Sequence, residues 1–176
     1  LRHIKGAIDP DLEFRITDAR YGGSPGHYGQ TFLELSGQPT GIEIVGRGYN
    51  ISGMSEETII HELLHAATLR KIREAYRAPA GSELRLAFDD MLEVRRAVLK
   101  EIKARLAKLR AAGKQNTREY ARIDQFRTYT LQHHGTQVRA IDEMISYAFT
   151  SPEFQDILKS VKVGKAQKVS ALTHFV

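Results

Sequence analysis

Two histidines four residues apart, with a glutamate directly after the first, form the segment His61-Glu62-Leu63-Leu64-His65. On a helix, residues four apart lie on one face, so both imidazoles can aim at a single metal ion. Glu62 is turned by about 100° from His61, which lets its carboxylate reach a water activated by that ion without taking a ligand position itself. Neutral imidazole suits zinc better than a hard cation, and the chemistry such a set can run is hydrolysis with Glu62 as general base. A catalytic zinc site takes three protein ligands and keeps one position open, so one ligand is still needed. In the extended motif His-Glu-x-x-His-x-x-Gly-x-x-His the third ligand stands six residues after the second histidine, and that position here is Lys71. A later segment must supply the ligand. Between residues 138 and 149, Val138, Ile141, Met144, Ile145, Ala148 and Phe149 fall on one helical side, and Glu143, Ser146 and Tyr147 on the other. Glu143 is the candidate third ligand, with His133 or His134, just before Gly135, as the alternative. Tyr147, four residues after Glu143, or one of those two histidines, is the candidate donor to a developing oxyanion.

These side chains need elements to hold them. The first fifty residues read as strands, Phe14-Arg15-Ile16-Thr17, Thr31 to Leu35 and Gly41 to Val45, separated by glycine-rich turns at residues 22–26 and 36–40. A small antiparallel sheet is expected there. From Ser55 the pattern turns helical. Ser55 is a suitable N-cap with Glu56 and Glu57 in the first turn, and the helix should run to about Tyr76, ended by Ala78-Pro79. On it Ile59, Ile60, Leu63, Leu64 and Ala67 fill an arc of about 140° that excludes both histidines, so a buried face and a reactive face should separate. A long amphipathic second helix is expected from Ser82 to Ala112, with Leu84, Phe88, Met91, Leu92, Leu99, Ile102, Leu106 and Leu109 inward and Gly113 as its stop. A third should start at Asn116, boxed with Glu119, and end near Gly135; a fourth should span Thr136 to Phe149; Ser151-Pro152 should open a fifth. The predicted class is α+β, a small sheet followed by a mainly helical body.

Composition narrows the partners. There is no cysteine, so disulfides and thiolate metal sites are excluded and a metal must rest on His, Asp and Glu. This fits a reducing interior, cytoplasmic or inside a cell that receives the protein. No run of about 18 apolar residues offers a membrane span, and the N-terminus lacks the order of a signal peptide. With 176 residues, 41% of them hydrophobic and 27% charged, a single domain over 1–176 is expected. The start at Leu1 and the stop at Thr173-His174-Phe175-Val176, which reads like the middle of an element, predict a domain excised from a longer protein. A net charge of +5 and a pI near 9.5 come largely from Arg and Lys between Arg95 and Arg127. Those residues suit either a polyanion contact or the solvated face of long helices.

A helix with His-Glu-Leu-Leu-His and a later helix with Asp142-Glu143-Met144-Ile145-Ser146 resemble the gluzincin metallopeptidases. The wider stretch, Thr58-Ile59-Ile60-His61-Glu62-Leu63-Leu64-His65-Ala66 with Glu143 through Phe154-Gln155, looks most like the zincin-like domains of large polyvalent proteins from phages and mobile elements. The likeness spans Gly41 to Leu158. It implies a zincin-like fold, a zinc ion on His61, His65 and Glu143, hydrolysis of a protein or peptide substrate, and an extended substrate lying along the strand Gly41–Val45. Tyr147 stands where the thermolysin-like pattern has an aspartate, which leaves the hydrogen-bond partner of a histidine ligand unassigned. Two other readings stay open. One is a DNA-associated SprT-like protease with His133 or His134 as third ligand; the other is a non-enzymatic basic helical binding module with a structural zinc site.

Overall fold

The structure is a computed structural model, and it describes residues 11–18, 29–33, 39–47, 56–128, 136–163 and 169–170. The chain divides into two compact units, Leu1–Arg73 and Glu74–Val176. No helix among the described residues is long and apolar enough to cross a membrane.

The first unit holds three strands, β1 (Glu13–Asp18), β2 (Gly29–Leu33) and β3 (Pro39–Arg47), in the order β1-β3-β2. Strand β2 runs antiparallel to β3, as expected of a hairpin, but β1 runs parallel to β3. The sheet is therefore mixed rather than antiparallel. Alternation and turn residues report that a strand exists; they carry no information on the direction of its neighbour when that neighbour is not next in sequence. Strand β3 lies in the centre, with β1 on one side and β2 on the other. Its alternation does decide its faces, since Ile42 and Ile44 are buried and Glu43 is half-buried. Gly41, on the opposite face, permits a close approach: a Cβ there would stand 3.2 Å from the Glu13 carbonyl oxygen and 3.7 Å from the Phe32 ring.

Helix α1 (Glu56–Arg77) follows. Glu56 and Glu57 occupy its first turn, where the helix dipole favours negative charge; the expected cap, Ser55, lies outside the described residues. Ile59, Leu63 and Ala66 of this helix pack with Ile42, Ile44 and Leu12. Burying two isoleucines in this way is worth about 1.5–3 kcal/mol each, which ties the helix to one face of the sheet.

In the second unit, helix α2 (Glu83–Ala111) begins at Ser82, whose hydroxyl accepts from the Arg85 amide, and stops before Gly113 at φ +71°. Helices α3 (Arg118–Phe126), α4 (Gln137–Thr150) and α5 (Pro152–Ser160) come next, then a short antiparallel pair, β4 (Lys162–Val163) and β5 (Val169–Ser170). Val94, Val98, Ile102 and Leu106 of α2, four residues apart, form the buried stripe, joined by Phe126, Met144, Phe154 and Leu158. Leu84, expected inside, is exposed. The cap of α3 is Thr117, accepting from the Tyr120 amide, not Asn116. Both residues can cap, and Thr117 is favoured because its hydroxyl also donates to the Lys114 carbonyl, closing the preceding turn. Thr136 caps α4, and Ser151 caps α5 with Pro152 at the first helical position, as their sequence predicts.

Candidate metal centre

Helix α1 brings His61 and His65 side by side, their ring centroids 4.7 Å apart and their planes at 85°. Such edge-to-face imidazoles on adjacent turns can turn one nitrogen each toward a common point. Glu62 sits between them in sequence and is only 7% exposed; His65 is 8% exposed and His61 half-buried. The expected separation of a buried apolar face from an open reactive face does not hold. Glu62 and His65 are more buried than Ile59, Ile60 or Leu63. The apolar arc covers only what faces the sheet strands; the edge of the sheet reaches round to the reactive side as well.

That reach is made by Thr31 on β2. Its hydroxyl oxygen lies 2.8 Å from Oε2 of Glu62 and 3.3 Å from the Glu62 carbonyl oxygen. A buried carboxylate is costly unless a donor meets it, and Thr31 is such a donor. Thr31 is not marked by the sequence: it stands at the start of an expected strand, and no spacing rule links a strand threonine to a carboxylate 31 positions later.

The other residues singled out in the sequence belong to the second unit. Glu143, on α4, is half-buried. Its helical neighbours differ from expectation: Ser146 is fully buried and Tyr147 nearly so, whereas Phe149, expected inside, is 51% exposed. The side chosen as polar is thus largely covered. The Tyr147 ring lies 5.2 Å from that of Phe126, near-perpendicular, and 6.0 Å from that of Phe154, so the ring is a core residue of this unit whatever its hydroxyl does. Asp142, just before Glu143, is a buried carboxylate, 3% exposed. Its place among apolar neighbours in the sequence was the available signal, since a charge at a core-facing helical position needs partners. His133 and His134 lie outside the described residues.

Several basic residues between Arg95 and Arg127 are engaged locally. Arg105 pairs with Glu101 at 2.7 Å and Arg127 with Asp124 at 2.6 Å, and Arg110 donates to the Tyr120 hydroxyl. Asp124 raises the Arg127 pKa further through that hydrogen bond. Pairs three and four residues apart are the pattern of a solvated helix face.

Comparison of the chain with known protein families, with curated proteins and with solved structures gave no match.

Proposed function

We propose that this chain is a zinc-dependent peptidase of zincin-like type, with His61, His65 and Glu143 as metal ligands and Glu62 as the general base. The observation that carries the reading is the geometry on α1: two imidazoles on adjacent turns around a carboxylate that is buried and held by a hydrogen bond. Glu143 as third ligand rests on the sequence: it is the carboxylate of the Asp142-Glu143-Met144-Ile145-Ser146 helix that the resemblance to gluzincins pairs with His-Glu-Leu-Leu-His, and a catalytic zinc needs one ligand beyond the two histidines. Two imidazoles and one carboxylate are also a donor set that zinc accepts and calcium does not favour.

When bound, zinc would acidify a water near neutral pH and withdraw electron density from the substrate carbonyl. Glu62 removes a proton from that water as its oxygen bonds to the carbonyl carbon. The same carboxyl then delivers the proton to the amine nitrogen as the carbon–nitrogen bond breaks. Tyr147 is proposed to donate from its hydroxyl to the oxygen that gains charge. The substrate strand cannot lie along β3, as the resemblance had implied, because β3 is paired on both sides. An outer strand must take that part, and β2, which reaches Glu62 through Thr31, is the one we assign. The basic helices are left at most a salt-labile contact with polyanions.

The test is metal content and cleavage together. Zinc-loaded protein should hold close to one zinc per chain by elemental analysis and should cleave fluorescein-labelled casein. Glu143→Ala should lose zinc far more readily than the double change His133→Ala and His134→Ala, in proteins that stay folded by circular dichroism. The opposite order would hand the third position to a histidine. One zinc per chain without casein cleavage would favour the structural-zinc binding module.

A further inference from the structure

We propose that Thr31 is a positioning residue for the base: its hydroxyl, mounted on β2, holds Oε2 of Glu62 and thereby turns the other carboxylate oxygen, Oε1, toward the reacting water. The inference rests on the peptidase reading and adds to it a residue outside the His-Glu-Leu-Leu-His segment.

The two residues are far apart in sequence, so the 2.8 Å bond is a feature of the folded unit and not of the helix alone. In the ladder, Thr31 stands opposite Ile42. Residues directly opposite on neighbouring strands share a face, and Ile42 is fully buried in the cluster with Ala66 of α1. Thr31 is therefore on the face of the sheet that α1 covers, and its hydroxyl meets the helix at Glu62. The mount is stiff on two counts. A β-branched side chain in a strand has restricted χ1, and a site carried on paired strands and helices is held more closely than one on a loop.

Glutamate needs such a hold. Its side chain has several torsions, and fixing them costs conformational entropy. A bond from a hydroxyl to a carboxylate is a charge-assisted one, short and stronger than a neutral pair. It occupies one oxygen of two, which suits a base that needs only one oxygen to receive a proton. Without the bond Glu62 keeps its place in the chain but samples other rotamers. A displacement of about 1 Å in a reacting group costs about a hundredfold in rate.

The variants are Thr31→Val, which removes the hydroxyl and keeps the branched shape, and Thr31→Ser, which keeps the hydroxyl. With zinc-loaded protein and labelled casein, Thr31→Val should lower kcat by about 10- to 100-fold with KM and zinc content close to wild type, together with a lower thermal midpoint, because a buried carboxylate oxygen loses its donor. Thr31→Ser should return kcat to within about threefold of wild type, the remaining deficit reflecting its freer χ1. A purely structural role would lower the thermal midpoint and leave kcat per folded, zinc-loaded chain at the wild-type value; that result overturns the inference. So does a serine variant whose kcat is no better than that of the valine one. If zinc-loaded wild type cleaves casein no faster than Glu62→Gln, the peptidase reading itself falls and takes the inference with it, an outcome distinct from the other two.

Discussion

A carboxylate that is 7% exposed is held at a cost, and the residues around Glu62 show where the compensation comes from. Thr31 donates to it, and in the proposed site a cation on the adjacent imidazoles would add to that compensation. Glu62→Gln keeps a carbonyl oxygen for the Thr31 hydroxyl, so fold and zinc content should persist. The amide cannot accept the water's proton, and casein cleavage should fall by at least about a hundredfold; cleavage at the wild-type rate removes Glu62 from the chemistry. Tyr147 calls for two substitutions because ring and hydroxyl do different things. Its ring is packed against Phe126 and Phe154, so Tyr147→Ala should destabilise by about 3–5 kcal/mol in denaturant unfolding. Tyr147→Phe keeps the ring and isolates the hydroxyl: kcat on casein should fall about a hundredfold with KM unchanged, and an unaltered kcat ends its role as oxyanion donor. At this scale the sequence made the two histidines and Glu62 legible, because a helix converts a spacing of four into a shared face. Thr31 was not legible, since its partner is fixed by the sheet and not by spacing. The burial of Ser146 and Tyr147 was not legible either, because helical periodicity describes one helix against one surface and α4 is covered on more than its apolar side.

Among the elements, the helix starts follow local chemistry closely. Ser151 is fully buried; its hydroxyl accepts from the Phe154 amide at 3.3 Å and donates to Glu153 at 3.0 Å. Ser151→Ala leaves that amide without its acceptor and should cost about 1–2 kcal/mol in denaturant unfolding; a loss under about 0.3 kcal/mol would mean that the cap is replaced by solvent. Glu153 is held below the usual carboxylate range, first by its own backbone amide and then by the Ser151 hydroxyl. A carboxylate with a lowered folded pKa stabilises the protein above its unfolded pKa, and that stability is lost as pH falls through the folded value. The Glu153→Gln protein should therefore show a smaller decline in thermal midpoint on acidification below the ordinary carboxylate range than wild type does. The buried stripe of α2 was only half legible. Val94 and Val98 are as deeply buried as Ile102 to within 1% yet lay outside the expected inward set, while Leu84 points to solvent. A long helix has several apolar lines on its surface, and only the partner helices decide which is covered. Strand directions were likewise beyond local reading, since the parallel pairing of β1 with β3 is set by the path of the chain between them.

For the molecule as a whole, the excess of 26 basic over 21 acidic side chains makes a testable statement about polyanions. Net charge sets non-specific association, and duplex DNA is the densest common anion, so the sign of the interaction is attraction. Its strength is limited by how many cations are uncommitted. Arg105 and Arg127 are bonded to carboxylates, and Arg96 lies 4.0 Å from Glu93. Lys100 and Lys103 of α2 are exposed and fall near one another on the face opposite Val98 and Ile102. Engagement of about three phosphates gives a logarithmic salt slope of about −2.7, so raising salt from about 50 to 200 mM should weaken binding by about 40-fold. Fluorescence anisotropy with a labelled duplex should show that loss, no preference between unrelated sequences, and a slope reduced by about 2 when Lys100 and Lys103 are both changed to Gln. Zinc loading and Glu62→Gln should leave the curve unchanged, because the charge responsible lies on α2 and not on the histidine helix. A salt-insensitive, sequence-selective complex would require base contacts that charge alone does not provide, and would favour a DNA-associated protease over one with no nucleic-acid partner.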